Sequence, residues 1–523
     1  MTKTLKGLIP IIIILAVGIF FRTYYINFGL PQSFYADEPE IAEPAIKYTY
    51  EIRNIVKNND YYKLIPQSFV YGTFPVYLYT FFVMLFSKTM SVLSITFEKT
   101  TLYILMRLIN STISTLLIPL SAYLFYRMFK NKYGALLTAF LMALNWKFIV
   151  MSHYLNTDVI LTILLLTSFM FMYFYMEEKK DTLFILLTGI FFGLAIGTKV
   201  TAALSLPLFL YVFLYKKDIK GFLAFVLISF GVFSLTNPFS IIFIRNFVFR
   251  TIHLLTKEGG MVFDSVDTNP FKYVFAVAYL TIPTILLFSL YGKLIIFKNF
   301  VNENGRVFHI FLTGNILTYL LFYSLSTRLV DRWLLPIIPI IIIYAAYGIL
   351  VLKTRLDKKG FFAVCVITCI SYLYFPILLL FQFQRQTPKS AAYIWMRDNT
   401  NPLLSKLVIT EEGLDPMNKL LSSKVTKLNV YVLEGAQYDY PLDPTMFNYV
   451  LLSSRPMQNY KRREIQEKFP EYSKRWANFE KTVENPGNFK LIKVFKLPKP
   501  NLIPLSNVYI YENLKLSPTK GNL

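Results

Sequence analysis

Two adjacent carboxylates, Asp37 and Glu38, follow the first long apolar stretch of the chain, in the segment SFYADEPE. A carboxylate at a membrane surface can act as a general base toward a polar acceptor. It can equally be an acidic residue in the first turn of a helix, where the helix dipole favours negative charge. Position alone does not decide between the two, so the choice depends on the elements that carry the pair.

Other ionisable side chains fall at the ends of apolar segments and, in the topology derived below, on the same side as this pair. They are His153, Asp158, Lys199 and Arg332. Such groups at membrane depth are costly and mark functional sites. The structural alternatives are a helix-start acid for Asp158 and a snorkelling side chain for Lys199. His153 and Asp158 are possible ligands of a divalent metal, although a chain with 3 His shows no evident metal cluster.

The composition is that of a membrane protein. Hydrophobic residues make up 55% of the 523 residues, charged residues 16%, and the mean hydropathy is +0.46, which is too apolar for a soluble protein of this length. Many of the basic residues behind the net charge of +23 lie in short loops between apolar segments. That pattern is typical of positive-inside topology and not of a nucleic-acid-binding surface. We therefore expect a multi-pass protein of the cell membrane that binds no nucleic acid.

The apolar segments predict about eleven, and up to about thirteen, transmembrane helices. The segments are 8–25, 103–125, 135–151, 159–176, 183–197, 201–215, 222–235, 273–291, 308–325, 334–352 and 361–381. Basic loops between them alternate, which places the N terminus in the cytoplasm. The stretch 69–86 would break this alternation if it spanned, and we interpret it as a helix at the outer interface, with a true span as the alternative. The first external loop then carries juxtamembrane helices and the Asp37-Glu38 pair.

The composition becomes polar near residue 385. We expect a transmembrane domain over 1–385 and a small α/β domain over 386–523, which the odd number of spans places outside the cytoplasm. A helix is predicted at 388–398 and strands at 406–410, 449–453, 489–495 and 508–511.

Four segments resemble motifs of the integral-membrane glycosyltransferases of the C superfamily, in particular the protein O-mannosyltransferase and aminoarabinose-transferase group. They are ADEP at 36–39, YLNTDVILT at 154–162, GLAIGTK at 193–199 and RWLLPIIP at 332–339. They occur in the order that the family shows. The C-terminal part, with the helix AAYIWMR at 391–397 and its closing strands, is similar to the external domain of many such enzymes.

The resemblance implies an inverting glycosyltransferase that moves a sugar from a polyprenyl phosphate of undecaprenyl or dolichyl type to an acceptor hydroxyl or similar group at the outer membrane face. The acceptor is a protein, a lipid or a glycan. The implied base is Asp37, supported by Glu38, which is alternatively an acceptor-binding group. Lys199 and Arg332 would bind the lipid phosphate. His153 and Asp158 would support the site or the acceptor.

The sequence is compatible with two other functions. A transporter or flippase of lipid-linked sugars would also need many spans, but such proteins often contain two related halves and acids near the membrane midplane. This sequence shows no repeat, and its acids lie at one face. A non-catalytic membrane assembly factor would use the C-terminal part as a binding module.

Overall fold

A computed structural model describes residues 3–30, 35, 37–66, 71–91, 98–177, 182–256, 269–298, 303–326, 329–400, 405–410, 425–428, 443–497, 499–503 and 505–516. The chain forms two compact units. The first contains Met1–Ile26, Asp37–Leu255 and Thr268–Phe381, and the second contains Asn27–Ala36, Thr256–Asp267 and Gln382–Leu523. The division at residue 385 into a membrane domain and an outer domain remains a prediction.

The chain up to residue 383 is helical. The α-helices are α1 (Lys3–Thr23), α2 (Glu38–Lys57), α3 (Phe74–Ser91), α4 (Lys99–Phe129), α5 (Lys132–Ala143), α6 (Trp146–Ser152), α7 (Thr157–Glu177), α8 (Thr182–Thr198), α9 (Leu206–Tyr215), α10 (Ile219–Thr236), α11 (Pro238–Ile242), α12 (Ile244–Thr256), α13 (Lys272–Thr281), α14 (Pro283–Lys298), α15 (Glu303–Ser324), α16 (Ile338–Arg355) and α17 (Lys358–Phe383). Short 3₁₀ helices cover Tyr61–Leu64, Val200–Ser205 and Asp331–Ile337.

The apolar helices agree with a membrane protein. Among the described residues, 6 helices are long and apolar enough to cross a membrane, or up to 8 if each of two bent pairs is one span. Shorter apolar helices include Ile9–Thr23, Phe74–Lys88, Thr182–Thr198 and Val200–Tyr215. The helical membrane fold is therefore confirmed, whereas the finer count of about eleven to thirteen spans remains a prediction.

Two segments predicted as single spans are broken. The segment 135–151 divides into α5 and α6, which are bent by 51°, and the segment 273–291 contains α13 and α14, bent by 102°. Polar capping explains the first break, because the Asn145 side chain accepts a hydrogen bond from the Phe148 amide and so starts a new helix. At the second break, Pro283 has no amide hydrogen to continue the ladder.

The helix that follows Thr73 corresponds to the stretch 69–86. It is α3, which begins at Phe74, while residues 67–70 lie outside the described part of the chain. Its placement at the membrane interface remains a prediction.

The most enclosed helices are α7 and α16. In α7, and in the segment Asp331–Arg355 that contains α16, 83% of the residues in the most apolar window are buried, against 22% in α10. A helix that is apolar on most of its faces is typically enclosed by the rest of the protein. Polar groups at the beginnings of these two elements therefore lie next to enclosed helices.

Two glycines allow α14 and α16 to approach closely. A Cβ atom on Gly348 would fall far inside contact distance of the Phe288 carbonyl oxygen, and one on Gly292 would do the same at the Tyr344 carbonyl oxygen. Small residues at such positions let helix backbones pack against each other in a membrane. The close approach of α14 and α16 therefore requires a residue without a side chain at both positions.

The second unit contains a five-stranded sheet in the order β2-β1-β3-β5-β4. Its strands are β1 (Leu407–Ile409), β2 (Val425–Lys427), β3 (Tyr449–Ser453), β4 (Phe489–Phe495) and β5 (Val508–Asn513), and its helices are α18 (Pro388–Asn399), α19 (Ser454–Asn459), α20 (Arg463–Lys468) and α21 (Pro470–Val483). β1 pairs in parallel with β2 and β3, whereas β5 pairs antiparallel with β3 and β4.

Alternate residues of the central strands fill two cores, one on each face of this sheet. Val408 packs in a cluster with Trp476 of α21, and Leu407 packs in a cluster with Met396 of α18. The sheet therefore lies between helices, which confirms the predicted small α/β region. The sequence did not predict β2, which has three residues and includes a lysine.

We expect Gly348→Ala to destabilise the protein by about 1–3 kcal/mol, because the added methyl group forces α14 and α16 apart. The measurement is thermal or denaturant unfolding in detergent. Gly231→Ala is the matched control, since a Cβ there meets nothing within 4 Å, and it should be neutral or slightly stabilising in a helix. Equal stability of both variants would contradict the close packing described here.

Candidate active site

Four of the residues singled out in the sequence form one ion-pair network in the first unit. The Asp158 Oδ1 atom lies 2.6 Å from Lys199 Nζ, and Asp158 Oδ2 lies 3.2 Å from Arg332 Nε. Arg332 Nη2 in turn lies 2.7 Å from Asp37 Oδ2. The residues come from four separate parts of the sequence, and the fold brings their charges together.

The elements explain how these side chains meet. Asp158 is in the first turn of α7, Lys199 follows the end of α8, and Arg332 lies in the 3₁₀ helix that precedes α16. Asp37 immediately precedes α2, where it occupies the N-cap position without a side-chain cap hydrogen bond. Each residue therefore lies at a helix end, where polar side chains from different helices can meet without entering the apolar interior of the bundle.

The two carboxylates of the network differ in accessibility. The Asp158 side chain is 3% exposed, whereas that of Asp37 is 30% exposed. Asp158 also has two cationic partners, while Asp37 is bound by Arg332 and by the Tyr71 hydroxyl, which donates to Asp37 Oδ2 at 2.8 Å. Asp37 is thus the carboxylate that an incoming substrate can reach.

A further ion pair extends the charged cluster beside Arg332. Lys147 Nζ, in α6, lies 2.6 Å from Asp331 Oδ2. Sequence reasoning listed no role for Lys147, although it is an ionisable residue within a predicted span, a signal that marks functional positions. Together these groups contribute three carboxylates and three cations, which are Asp37, Asp158, Asp331, Lys147, Lys199 and Arg332.

Glu38 is held in a buried pair that lies next to this cluster. Both of its carboxylate oxygens accept hydrogen bonds from Arg107, from Nε and Nη2, each at 2.7 Å. Both side chains are fully buried, at 0% exposure. The Leu155 backbone amide also donates to Glu38 Oε1 at 3.2 Å, and Arg107 Nη1 donates to the Ile26 carbonyl oxygen at 3.0 Å.

These contacts join three segments that carry the site. Glu38 belongs to the first turn of α2, next to Asp37, while Leu155 lies three residues before Asp158. Arg107 on α4 binds the Glu38 carboxylate, and that carboxylate also accepts a hydrogen bond from the Leu155 amide. The Glu38 carboxylate thus connects α4 to α2 and to the loop before α7. The pair therefore sets the position of Asp37 relative to Asp158.

His153 is buried near this pair, and both of its ring nitrogens contact backbone carbonyl groups. Its Nδ1 lies 2.8 Å from the Ile149 carbonyl oxygen and its Nε2 lies 2.7 Å from the Tyr24 carbonyl oxygen. With both ring nitrogens directed at carbonyl groups, His153 does not present a lone pair to a metal shared with Asp158. Among the described residues, no group of three or more potential metal-ligating side chains occurs. As placed here, His153 and Asp158 therefore do not form the shared metal site considered from the sequence.

The segment that carries Tyr71 is fixed against the end of α8. The Gly72 amide donates to the Thr198 carbonyl oxygen at 3.1 Å, and the Thr73 amide donates to Asn237 Oδ1 at 2.6 Å. A Cβ atom on Gly72 would fall inside contact distance of the Gly197 carbonyl oxygen. Only glycine permits this approach, so Tyr71 is placed beside Asp37 by backbone packing.

The arrangement combines a partly exposed carboxylate with a group of cations in a protein-enclosed position. Lys and Arg side chains at such a site can bind a phosphate, and Arg can do so with two parallel hydrogen bonds. A carboxylate beside them can accept a proton from an approaching hydroxyl group.

The chain resembles one known protein family over part of its length and several solved structures in its fold. The family model for dolichyl-phosphate-mannose-protein mannosyltransferase matches residues 12–217. The structure of ArnT from Cupriavidus metallidurans bound to undecaprenyl phosphate matches with a TM-score of 0.55 at 13% identity, covering 98% of each chain. No curated protein matches the chain by sequence.

A second solved structure gives a similar result. The archaeal oligosaccharyltransferase AglB from Archaeoglobus fulgidus, in complex with an inhibitory peptide and a dolichol-phosphate, matches with a TM-score of 0.52 at 13% identity. The match covers 99% of this chain and 75% of that chain. These findings confirm the resemblance to membrane glycosyltransferases of the C superfamily, and at such identities the structural likeness shows the fold.

We expect Glu38→Gln to destabilise the protein by about 3–5 kcal/mol, because it leaves the Arg107 guanidinium buried without a counter-charge. Unfolding in detergent measures the loss. Glu40→Gln, which removes an exposed acid from the same helix turn, is the control and should change stability little. A Glu38→Gln variant as stable as this control would show that the pair does not hold α2 in place.

Proposed function

We propose that this protein is a glycosyltransferase that uses a sugar linked to a polyprenyl phosphate as its donor. The observation that carries the proposal is the network in which Asp37 meets Arg332, which in turn meets Asp158 and Lys199. The fold adds support, because the matched structures include ArnT bound to undecaprenyl phosphate and AglB with a dolichol-phosphate.

In this proposal, Lys199 and Arg332 bind the phosphate of the donor. The phosphate is the leaving group, and negative charge builds on it as the bond to the sugar breaks. Cations fixed beside that oxygen stabilise the transition state more than the ground state. Lys147 and Asp158 would support the site by holding charges in place, since each is paired with another member of the cluster.

Asp37 is the proposed base. It takes the proton of an acceptor hydroxyl, whose oxygen then attacks the anomeric carbon while the electron pair of the broken bond leaves with the phosphate oxygen. A single displacement of this kind inverts the anomeric configuration. Glu38 acts in this account as a positioning residue for Asp37, because both of its oxygens are bound to Arg107.

We also propose that the site faces the outer side of the membrane. Arg107 and Arg127 are twenty residues apart on α4, which corresponds to roughly 30 Å along the helix, about the thickness of the hydrocarbon core. The positive-inside rule places the basic end near Arg127 in the cytoplasm. The N terminus would then be cytoplasmic, the chain would span about eleven to thirteen times, and residues 386–523 would form an outer domain.

Incubation of the purified protein in lipid with a panel of polyprenyl-phosphate sugars should release free polyprenyl phosphate from at least one donor when an acceptor mixture is present. Quantification of the released lipid phosphate by chromatography measures this. A transporter or assembly factor would leave every donor intact. Absence of release with all donors would therefore contradict the proposal.

With the donor that this panel identifies, we expect Asp37→Asn to lower the transfer rate by about 10²–10⁴-fold, the range associated with loss of a general base. The Asn side chain keeps the size of the carboxylate but accepts no proton. Glu40→Gln serves as the control and should retain the wild-type rate. Full activity of Asp37→Asn would remove Asp37 from the role of base.

A further inference from the structure

In this structure, the proposed base is bound to one of the proposed phosphate-binding cations. Arg332 Nη2 lies 2.7 Å from Asp37 Oδ2, while its Nε lies 3.2 Å from Asp158 Oδ2. Arg332 is thus shared between two carboxylates, and an incoming anion would compete with them for the same guanidinium group.

We infer that the donor phosphate takes Arg332 from Asp37 and thereby releases the base only when the donor is bound. This inference rests on the proposed function. Arg332 is 18% exposed and Asp37 is 30% exposed, so the pair lies on the accessible side of the cluster. Asp158 is 3% exposed and retains Lys199 at 2.6 Å, so the buried half of the cluster does not need to change.

The charge changes during transfer favour the same exchange. Asp37 loses its negative charge when it accepts the hydroxyl proton, and the phosphate gains a charge when the bond to the sugar breaks. A guanidinium group between the two is therefore attracted progressively toward the phosphate. Arg332 would therefore move from Asp37 toward the phosphate, as negative charge decreases at Asp37 and increases at the phosphate.

Tyr71 gives the released carboxylate a second support. Its hydroxyl donates to the same Asp37 Oδ2 atom that Arg332 contacts, at 2.8 Å. The backbone next to Tyr71 is held by other contacts, because the Gly72 and Thr73 amides donate to the end of α8 and to Asn237. The carboxylate therefore keeps its orientation toward an acceptor after Arg332 has turned away.

The exchange prevents Asp37 from acting before a donor is present. While Arg332 is bound to Asp37, an acceptor that arrives before the donor meets a paired carboxylate. The order of events is then donor first and acceptor second.

The test is a double-mutant cycle on binding of undecaprenyl phosphate, which requires no turnover. If Asp37 competes with the phosphate for Arg332, then Asp37→Asn should bind the lipid phosphate about tenfold more tightly than the wild type, since close charge pairs couple by such amounts. Arg332→Gln should bind it more weakly than the wild type. In the Arg332→Gln background, Asp37→Asn should bring little further gain.

The double-mutant cycle distinguishes competition of Asp37 and the phosphate for Arg332 from simple repulsion between Asp37 and the phosphate. If the gain from Asp37→Asn is equally large without Arg332, the carboxylate only repels the phosphate and the inference is wrong. Unchanged or weaker binding by Asp37→Asn would also overturn it. Glu40→Gln is the matched control for removal of an acid from this turn, and its affinity should equal that of the wild type.

The same experiment distinguishes failure of the inference from failure of the proposed function. Wild-type protein that binds no undecaprenyl phosphate, and no dolichyl phosphate in a parallel titration, would contradict both. Wild-type protein that binds the lipid while Asp37→Asn gives no gain would contradict the exchange alone.

Discussion

The buried pair between Glu38 and Arg107 is the interaction on which the rest of the site depends. It is fully enclosed, and each oxygen of the carboxylate accepts a hydrogen bond from the guanidinium group. Desolvation makes such a pair costly to bury, and loss of one partner is more costly still. The geometry that this pair imposes on α2, on α4 and on the loop before α7 is therefore strongly maintained, and that geometry places Asp37 near Asp158.

Charge balance is the second constraint on the site. The three carboxylates and three cations beside the buried pair leave the cluster close to neutral, which suits groups enclosed among apolar helices. A phosphate that enters adds negative charge, so some carboxylate must give up a cation or become protonated. Asp37 is suited to give up its cation because its side chain is 30% exposed and has the Tyr71 hydroxyl as a further hydrogen-bond donor. Under the proposed function, the same balance would link binding of the donor phosphate to release of Asp37 from Arg332.

Much of the site could be predicted from the sequence, for a topological reason. Asp37, Asp158, Lys199 and Arg332 all stand at ends of apolar segments, and alternation of the basic loops assigns those ends to one membrane face. Few positions are available at one end of a helical bundle, so polar residues assigned to that end are expected to lie close together.

The pairing of individual side chains could not be predicted in this way. Arg107 lies within a predicted span and Lys147 within another, and nothing in a single sequence tells which acid each will meet. The breaks at Asn145 and Pro283 were also missed, because apolar periodicity continues across both while capping and the missing proline amide end the helices. His153 was grouped with Asp158 by proximity in the sequence, yet its ring contacts two backbone carbonyl groups.

A structure of this protein in lipid with a bound polyprenyl phosphate would show directly whether the cluster holds the donor. We expect the phosphate within hydrogen-bond distance of Lys199 and Arg332, on the side of the cluster where Asp37 is exposed. Lipid phosphate bound elsewhere would contradict it, for example in the cavity of about 170 Å³ lined by Arg127 and Lys130 toward the other end of α4.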